Sequence, residues 1–249
     1  MTPGTPLNRW FLFPLALAFC ITANAQQAPT YLTHAQVADV LALLPPPALA
    51  GSPEDLADRA VTDRAFASHS AADVAQAERE DSFTVFTFAS VVGPAFESAK
   101  LPRVTALFKQ AERETKQAVD QSKDHWKRAR PCPPASPCAA DPAKAKKRSF
   151  GYPSGHSSRA TVDALLLARL LPQDADALMQ HARDIGWRRV IKGVHTPQDI
   201  DAGRVFGQAL AERMLAGAQM QNGLAAAASE LHAAGLESNV HATHRAGSR

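Results

Sequence analysis

Three short stretches hold residues whose types and spacing could act together on an anion. FGYPSGHSSRA, residues 150–160, sets Pro153, Ser154, Gly155 and His156 directly before an apolar run that reads as a helix. Pro and Gly break helices, so a loop ends here. If the helix starts at Ser157, the Gly155 and His156 amides lie near its N-terminus, where free N–H groups and the helix dipole favour negative charge. Gly155 lets the backbone come close to a ligand, Ser154 offers a hydroxyl donor, and His156 titrates near neutral pH.

The second stretch, KDHWKRARP, spaces Lys123 and Arg130 seven residues apart and then stops at Pro131. On a helix that is two turns, about 10.5 Å along one face, and long side chains can converge from there on one anion. The third, GWRRVIKGVHTPQDIDAGR, contains a helix start: Thr196 at the cap, Pro197 at the first position and Asp199 three residues after the cap. Asp199 is then near His195, where it can hold one imidazole nitrogen and leave the other free to attack. Arg189, six residues before His195, adds a cation.

Taken singly, each stretch has a plainer account: a loop with an incidental His, a solvated basic face that includes Lys127 and Arg128, a capping carboxylate. Taken together, they match the needs of phosphoryl transfer. Cations and amides neutralise the equatorial oxygens. A nucleophile forms a covalent intermediate. An acid protonates the leaving oxygen.

The order Lys-x6-Arg-Pro, Pro-Ser-Gly-His, Arg-x5-His-x3-Asp resembles the signature of the type 2 phosphatidic acid phosphatase (PAP2) superfamily. Within it, the chain resembles the exported bacterial class A nonspecific acid phosphatases, over roughly residues 81–216. The resemblance implies an all-α fold and a metal-independent phosphatase of small phosphate monoesters, able also to pass phosphate to alcohols and needing no cofactor. It implies that His195 is the nucleophile, that Asp199 orients it, and that His156 is the acid and then the base. Lys123, Arg130, Ser154, Gly155 and Arg189 would hold the phosphate. Members are often homo-oligomers, but no interface signature stands out here. Two positions depart from the family pattern. Arg188 replaces the usual Ser, and Lys192 falls where small or apolar residues are frequent; both are expected to be peripheral. Other readings are a lipid phosphate or polyprenyl diphosphate phosphatase, a vanadate-dependent halide oxidase, and a non-catalytic phosphate-binding helical protein.

The elements that must position these residues read as helices. HAQVADVLALLPPPA is a helix stopped by prolines. Ser52 and Asp55 suggest a capping box ahead of the next helix, with Pro53 at its first position. SFTVFTFASVVG is ambiguous between a strand and a buried helix. Residues 94–126 read as helix interrupted near Pro102, continuing to about Ala129. Residues 131–152 form a Pro-, Cys- and Lys-rich loop. Helices follow at about 157–171, from Pro172 to about Ile191, from Pro197 to about Gly217, and through NGLAAAASELHAAG. The expectation is one helical domain over 26–235 and a disordered tail at 236–249.

Composition agrees with that class. Apolar residues make up 45% of the 249 residues, enough for a sizeable core, while aromatics are only 6%. The net charge of +3 is mild and the basic residues are spread out, which gives no footprint for nucleic acid. Arg9, the apolar run after it and the Ala23-Asn24-Ala25 end form a signal-peptide pattern, with cleavage expected after Ala25. The expected location is periplasmic or secreted, with no stable membrane insertion of the mature chain, since no second apolar stretch is long enough to span a bilayer. Loss of Cys20 leaves Cys132 and Cys138, an even pair expected to form a local disulfide. Their loop lies between the first two motifs. Its basic end, KAKKR, is either an electrostatic funnel for anions or a solvated loop.

Overall fold

The computed structural model describes Met1, residues 30–141, Ala143 and residues 148–236. Apart from Met1 and Leu236, the leader expected at 1–25 and the tail expected at 236–249 lie outside the described residues, as do the lysines of KAKKR. The described elements are all helical. They are α1 (His34–Ala42), α2 (Pro53–Ala67), α3 (Ala71–Arg79), a 3₁₀ turn (Val85–Phe88), α4 (Ala89–Val92), α5 (Pro102–Trp126), α6 (Pro137–Ala140), α7 (Gly155–Leu170), a 3₁₀ turn (Pro172–Asp174), α8 (Ala175–Ile191), α9 (Pro197–Leu215) and α10 (Ala218–Ala233). No helix among the described residues is long and apolar enough to cross a membrane.

α7 is the centre of the bundle. It packs on α5, α8 and α9, and Ala160, Val162, Ala164, Leu166 and Leu167 are completely buried. α5 buries Val104, Leu107, Phe108, Ala111, Thr115, Ala118, Val119 and Ser122. These positions recur every three or four residues and give it one apolar stripe. Glycines on α9 let it lie close to α7. A Cβ at Gly203 would sit 2.7 Å from the Ser154 carbonyl oxygen and 2.8 Å from Ser157 Cβ. Ser157 Oγ donates to the Ile200 carbonyl at 2.7 Å across the same seam. The close seam brings the start of α7 against the start of α9, where two of the three motifs lie.

Several boundaries differ from the sequence expectation. α5 ends at Trp126 rather than near Ala129, because Lys127 turns left-handed at φ 50°. Lys123 and Arg130 therefore do not share a helical face; Arg130 is in the loop beyond. Residues 94–101 form turns rather than helix. Pro102 disfavours helical geometry at Leu101, and Gly93, at φ 116°, has already broken the chain direction. The ambiguous SFTVFTFASVVG forms the first 3₁₀ turn and α4. At α2, Ser52 accepts from the Asp55 amide as expected. The reciprocal half of the box is absent: the Asp55 carboxylate takes the Gly51 amide and the guanidinia of Arg59 and Arg128 instead. α7 begins at Gly155, two residues early, with Ser154 as its cap.

Candidate active site

The start of α9 is built by its own sequence. Thr196 caps it, accepting from the Asp199 amide, while Asp199 Oδ2 accepts from the Thr196 amide at 3.1 Å. The same oxygen lies 3.1 Å from His195 Nδ1. The other imidazole nitrogen, Nε2, is 2.8 Å from Arg130 Nη1. A guanidinium can only donate, so Nε2 is the acceptor and Nδ1 carries the proton donated to Asp199. His195 is fixed in the tautomer that presents a lone pair on Nε2.

His195 opens into a pocket of about 300 Å³ lined by Asp81, Arg130, Arg148, Ser149, His156, Arg189, Lys192 and Val194. Four cations on one small pocket make it an anion site. Arg130 is oriented by the Ser149 carbonyl, at 2.7 Å, and the Val194 carbonyl, at 2.8 Å. Arg189 is fully buried and donates to Asp81 Oδ1 at 2.7 Å and to the Ala77 carbonyl. His156 Nε2 lies 3.1 Å from the Glu80 carbonyl oxygen.

Burial and neighbouring cations set the protonation states. Burial, with Arg189 and Arg159 nearby, lowers His156 to about 4. Burial and Arg130 lower His195 to about 3, against the opposing pull of Asp199. Both imidazoles are thus neutral at neutral pH. Burial alone would raise Asp199, but His195, Arg128 and the Thr196 amide hold it below the ordinary carboxylate range. Burial and Arg130 together bring Lys123 down to about 8.

All eight residues singled out in the sequence converge here, but in two layers. Arg130, His156, Arg189 and His195 line the pocket; Asp199, Lys123, Ser154 and Gly155 do not. Ser154 is wholly buried, its hydroxyl accepts from the Ser157 amide, and its own amide donates to the Asp199 carbonyl at 2.9 Å. Lys123 Nζ would sit 3.8 Å from a Cβ on Gly155, so Lys123 flanks the start of α7. Of the two departures from the family pattern, Lys192 is not peripheral: it lines the pocket and pairs with Asp81. Arg188 points away and grips the buried Glu80 with two nitrogens, at 2.7 Å each.

Two contributors, Arg128 and Gly151, were not foreseen. Arg128 is buried rather than solvated. It donates to Asp199 Oδ1 at 2.8 Å and to Thr196 Oγ1, Asp55 Oδ1 and Asp58 Oδ2, each at 2.9 Å. α2 thereby braces the start of α9. Gly151 leaves room for Asp199, since a Cβ there would lie 3.0 Å from Asp199 Oδ2. Arg148, the last residue of KAKKR, lines the pocket. Cys132 and Cys138 lie at disulfide distance, with Cα atoms 5.8 Å apart.

Residues 115–222 match the model of the PAP2 superfamily, a span that holds all three motifs. The chain is 26% identical to an acid phosphatase of Zymomonas mobilis over 191 residues, which cover 74% of this chain and 71% of that one. It is 28% identical to a non-specific acid phosphatase of Providencia stuartii over 182 residues, 70% of this chain and 73% of that one. A transmembrane PAP2-type phosphatidylglycerolphosphate phosphatase from Bacillus subtilis shares the fold, with a TM-score of 0.50 at 20% identity over 72% of this chain and 90% of that chain.

Proposed function

We propose that this chain is a phosphatase of the PAP2 superfamily and that it hydrolyses small phosphate monoesters through a phosphohistidine formed on His195. The observation that carries this reading is the Asp199–His195–Arg130 alignment. It leaves an unprotonated Nε2 at the wall of a cationic pocket, with a guanidinium donor on the same atom. A nucleophile held in one tautomer by a carboxylate is the general arrangement for covalent catalysis.

The steps follow from the positions. The phosphate dianion enters among Arg130, Arg189 and Lys192, and takes over the donors that Arg130 gives to Nε2 and Arg189 gives to Asp81. Nε2 forms a bond to phosphorus as the ester oxygen leaves, and His156 gives that oxygen a proton. Neutral His156 then takes a proton from water, whose oxygen attacks phosphorus and releases His195 and orthophosphate. His156 needs its proton for the first step, although burial, with Arg189 and Arg159, lowers it to about 4. A bound dianion beside it favours the imidazolium, against burial and the lesser Arg189 and Arg159 charges, so protonation accompanies binding and turnover favours mildly acidic pH.

The same reading has the chain exported after loss of residues 1–25, with Cys132 and Cys138 joined in the oxidising compartment. Mass spectrometry of the mature N-terminus tests the first statement. Hydrolysis of p-nitrophenyl phosphate in excess EDTA, beside His195→Ala, tests the catalytic one. Wild-type turnover with loss in the variant supports it; full activity in the variant refutes it.

A further inference from the structure

A second cavity, of about 350 Å³, adjoins the phosphate pocket and shares Arg148, Lys192 and Val194 with it. Its character is different. Phe66 at the end of α2, Val74 in α3, Pro137 at the start of α6 and Ile191 at the end of α8 line it. His69, also on its wall, stands edge-on to Phe66 with ring centroids 5.2 Å apart. The volume falls at the lower end of small-molecule sites, about 300–1,000 Å³.

The cavity and the nucleophile share a backbone segment. Val194 lines both cavities and directly precedes His195, and Arg130 Nη1 binds both the Val194 carbonyl and His195 Nε2. Gly193, at φ +68°, is pressed beneath the cysteine loop. A Cβ there would come within 2.8 Å of Pro133 Cγ and 3.0 Å of Phe66 Cδ2. The apolar wall is therefore set rigidly against the catalytic turn. Away from it, Arg128, Asp199, Ser154 and Thr196 are buried and bonded to one another or to the protein. Arg148, Lys192 and Val194, which line both cavities, form the boundary between the phosphate pocket and the apolar one.

On the reading that this chain is a phosphomonoesterase, we propose that the apolar cavity is its leaving-group subsite. It takes the ring-bearing organic part of a phosphate monoester while Arg130, Arg189 and Lys192 hold the phosphate. Phe66 and His69 supply ring faces and edges for an aromatic partner. Glu78 sets a carboxylate on the cavity against the cations Arg148 and Lys192, so charge does not call for a second anion and the apolar lining favours an uncharged ring. The preferred substrates are monoesters of ring-bearing alcohols, in preference to those of short alkyl alcohols.

The test compares 2-phenylethyl phosphate with n-propyl phosphate, whose alcohols are of similar acidity, so that bond cleavage is matched and only the organic group differs. Wild type should favour the ring by about tenfold or more in kcat/KM, the return expected for burying a phenyl group. Val74→Trp fills the cavity without touching the phosphate pocket. It should erase the preference while leaving kcat/KM for n-propyl phosphate and inhibition by orthophosphate unchanged. A measurement without any variant guards against misfolding: 2-phenylethanol should inhibit n-propyl phosphate hydrolysis at lower concentration than n-propanol does. Equal kcat/KM for the two esters, a preference that survives in folded Val74→Trp, or equal inhibition by the two alcohols overturns the subsite and leaves the phosphatase standing. No turnover of either ester by wild type removes the phosphomonoesterase reading, and the subsite with it.

Discussion

Arg128 offers the sharpest test of how the site is held. Its guanidinium is buried and joins Asp55 and Asp58 of α2 to Thr196 and Asp199 of α9. Arg128→Met keeps much of the volume and removes the charge and all four of these hydrogen bonds. Removing one partner of a buried ion pair costs about 3–5 kcal/mol, because the remaining charge stays desolvated. Three carboxylates are affected, but each keeps another partner: Arg59 for Asp55, the Gln198 amide for Asp58, and His195 with the Thr196 amide for Asp199. The single-pair range is therefore the right scale, rather than three times it. At about 2–4 °C per kcal/mol for a chain of this size, Tm should fall by roughly 6–20 °C. The acid limb of the pH–rate profile should also move. Arg128 helps hold Asp199 ionised, so its loss raises the Asp199 pKa and activity disappears at higher pH than in wild type. Arg128→Lys, which keeps the charge without the fork, should fall between the two. Calorimetry and a pH series of kcat/KM decide the matter. A Tm shift worth less than about 1 kcal/mol, the scale of an exposed pair, together with an unmoved acid limb, would refute the buried hub.

Other outcomes follow from the same contacts. Gly203→Ala places a methyl 2.7 Å from the Ser154 carbonyl. It should cost about 1–3 kcal/mol in urea unfolding and lower kcat as α7 moves off α9; wild-type stability would contradict the close seam. Arg188→Ser leaves the buried Glu80 without its bidentate partner and should destabilise by about 3 kcal/mol, with Glu80→Gln restoring much of the loss; an Arg188→Ser protein as stable as wild type would contradict this. His195 and His156 titrate at about 3 and 4 in the folded state, below the ordinary value of 6.5. Their contribution to stability is complete above 6.5 and is lost as pH falls toward those values, because the unfolded chain binds protons that the fold refuses. Orthophosphate, by offsetting the arginines, should protect most in acid; a Tm independent of pH and phosphate over that range would refute the assignment. Reduction of a Cys132–Cys138 bridge should cost only roughly 2 kcal/mol, read as a small Tm shift under reductant and absent in Cys132→Ser.

What was legible in the sequence was what local chemistry dictates. Thr196, Pro197 and Asp199 specify a helix start within four residues, and His195 is placed by that start. For α7 the Pro153–His156 loop marked the start to within two residues, but Ser154, read as a phosphate donor, proved to be its cap. The all-α class followed from long helical periodicity and scarce aromatics. What was not legible depended on distant partners. Arg128 looked like a surface cation because Asp55 and Asp58 lie some seventy positions earlier in the chain. Lys123 and Arg130 were paired through a helix that Lys127 ends, and the loop after it brings them together instead. Lys192 gave no local sign that it would line the pocket, since its partner Asp81 lies 111 positions earlier in the chain.

The most direct test of the phosphohistidine is to quench the enzyme during turnover of a labelled phosphate monoester and map the label by peptide mass spectrometry. Catalysis through His195 requires an acid-labile, base-stable phosphate on the peptide containing His195, absent in His195→Ala and diminished in Asp199→Asn. Label on another residue, or a stereochemical course at phosphorus that shows a single inverting displacement by water, would contradict it.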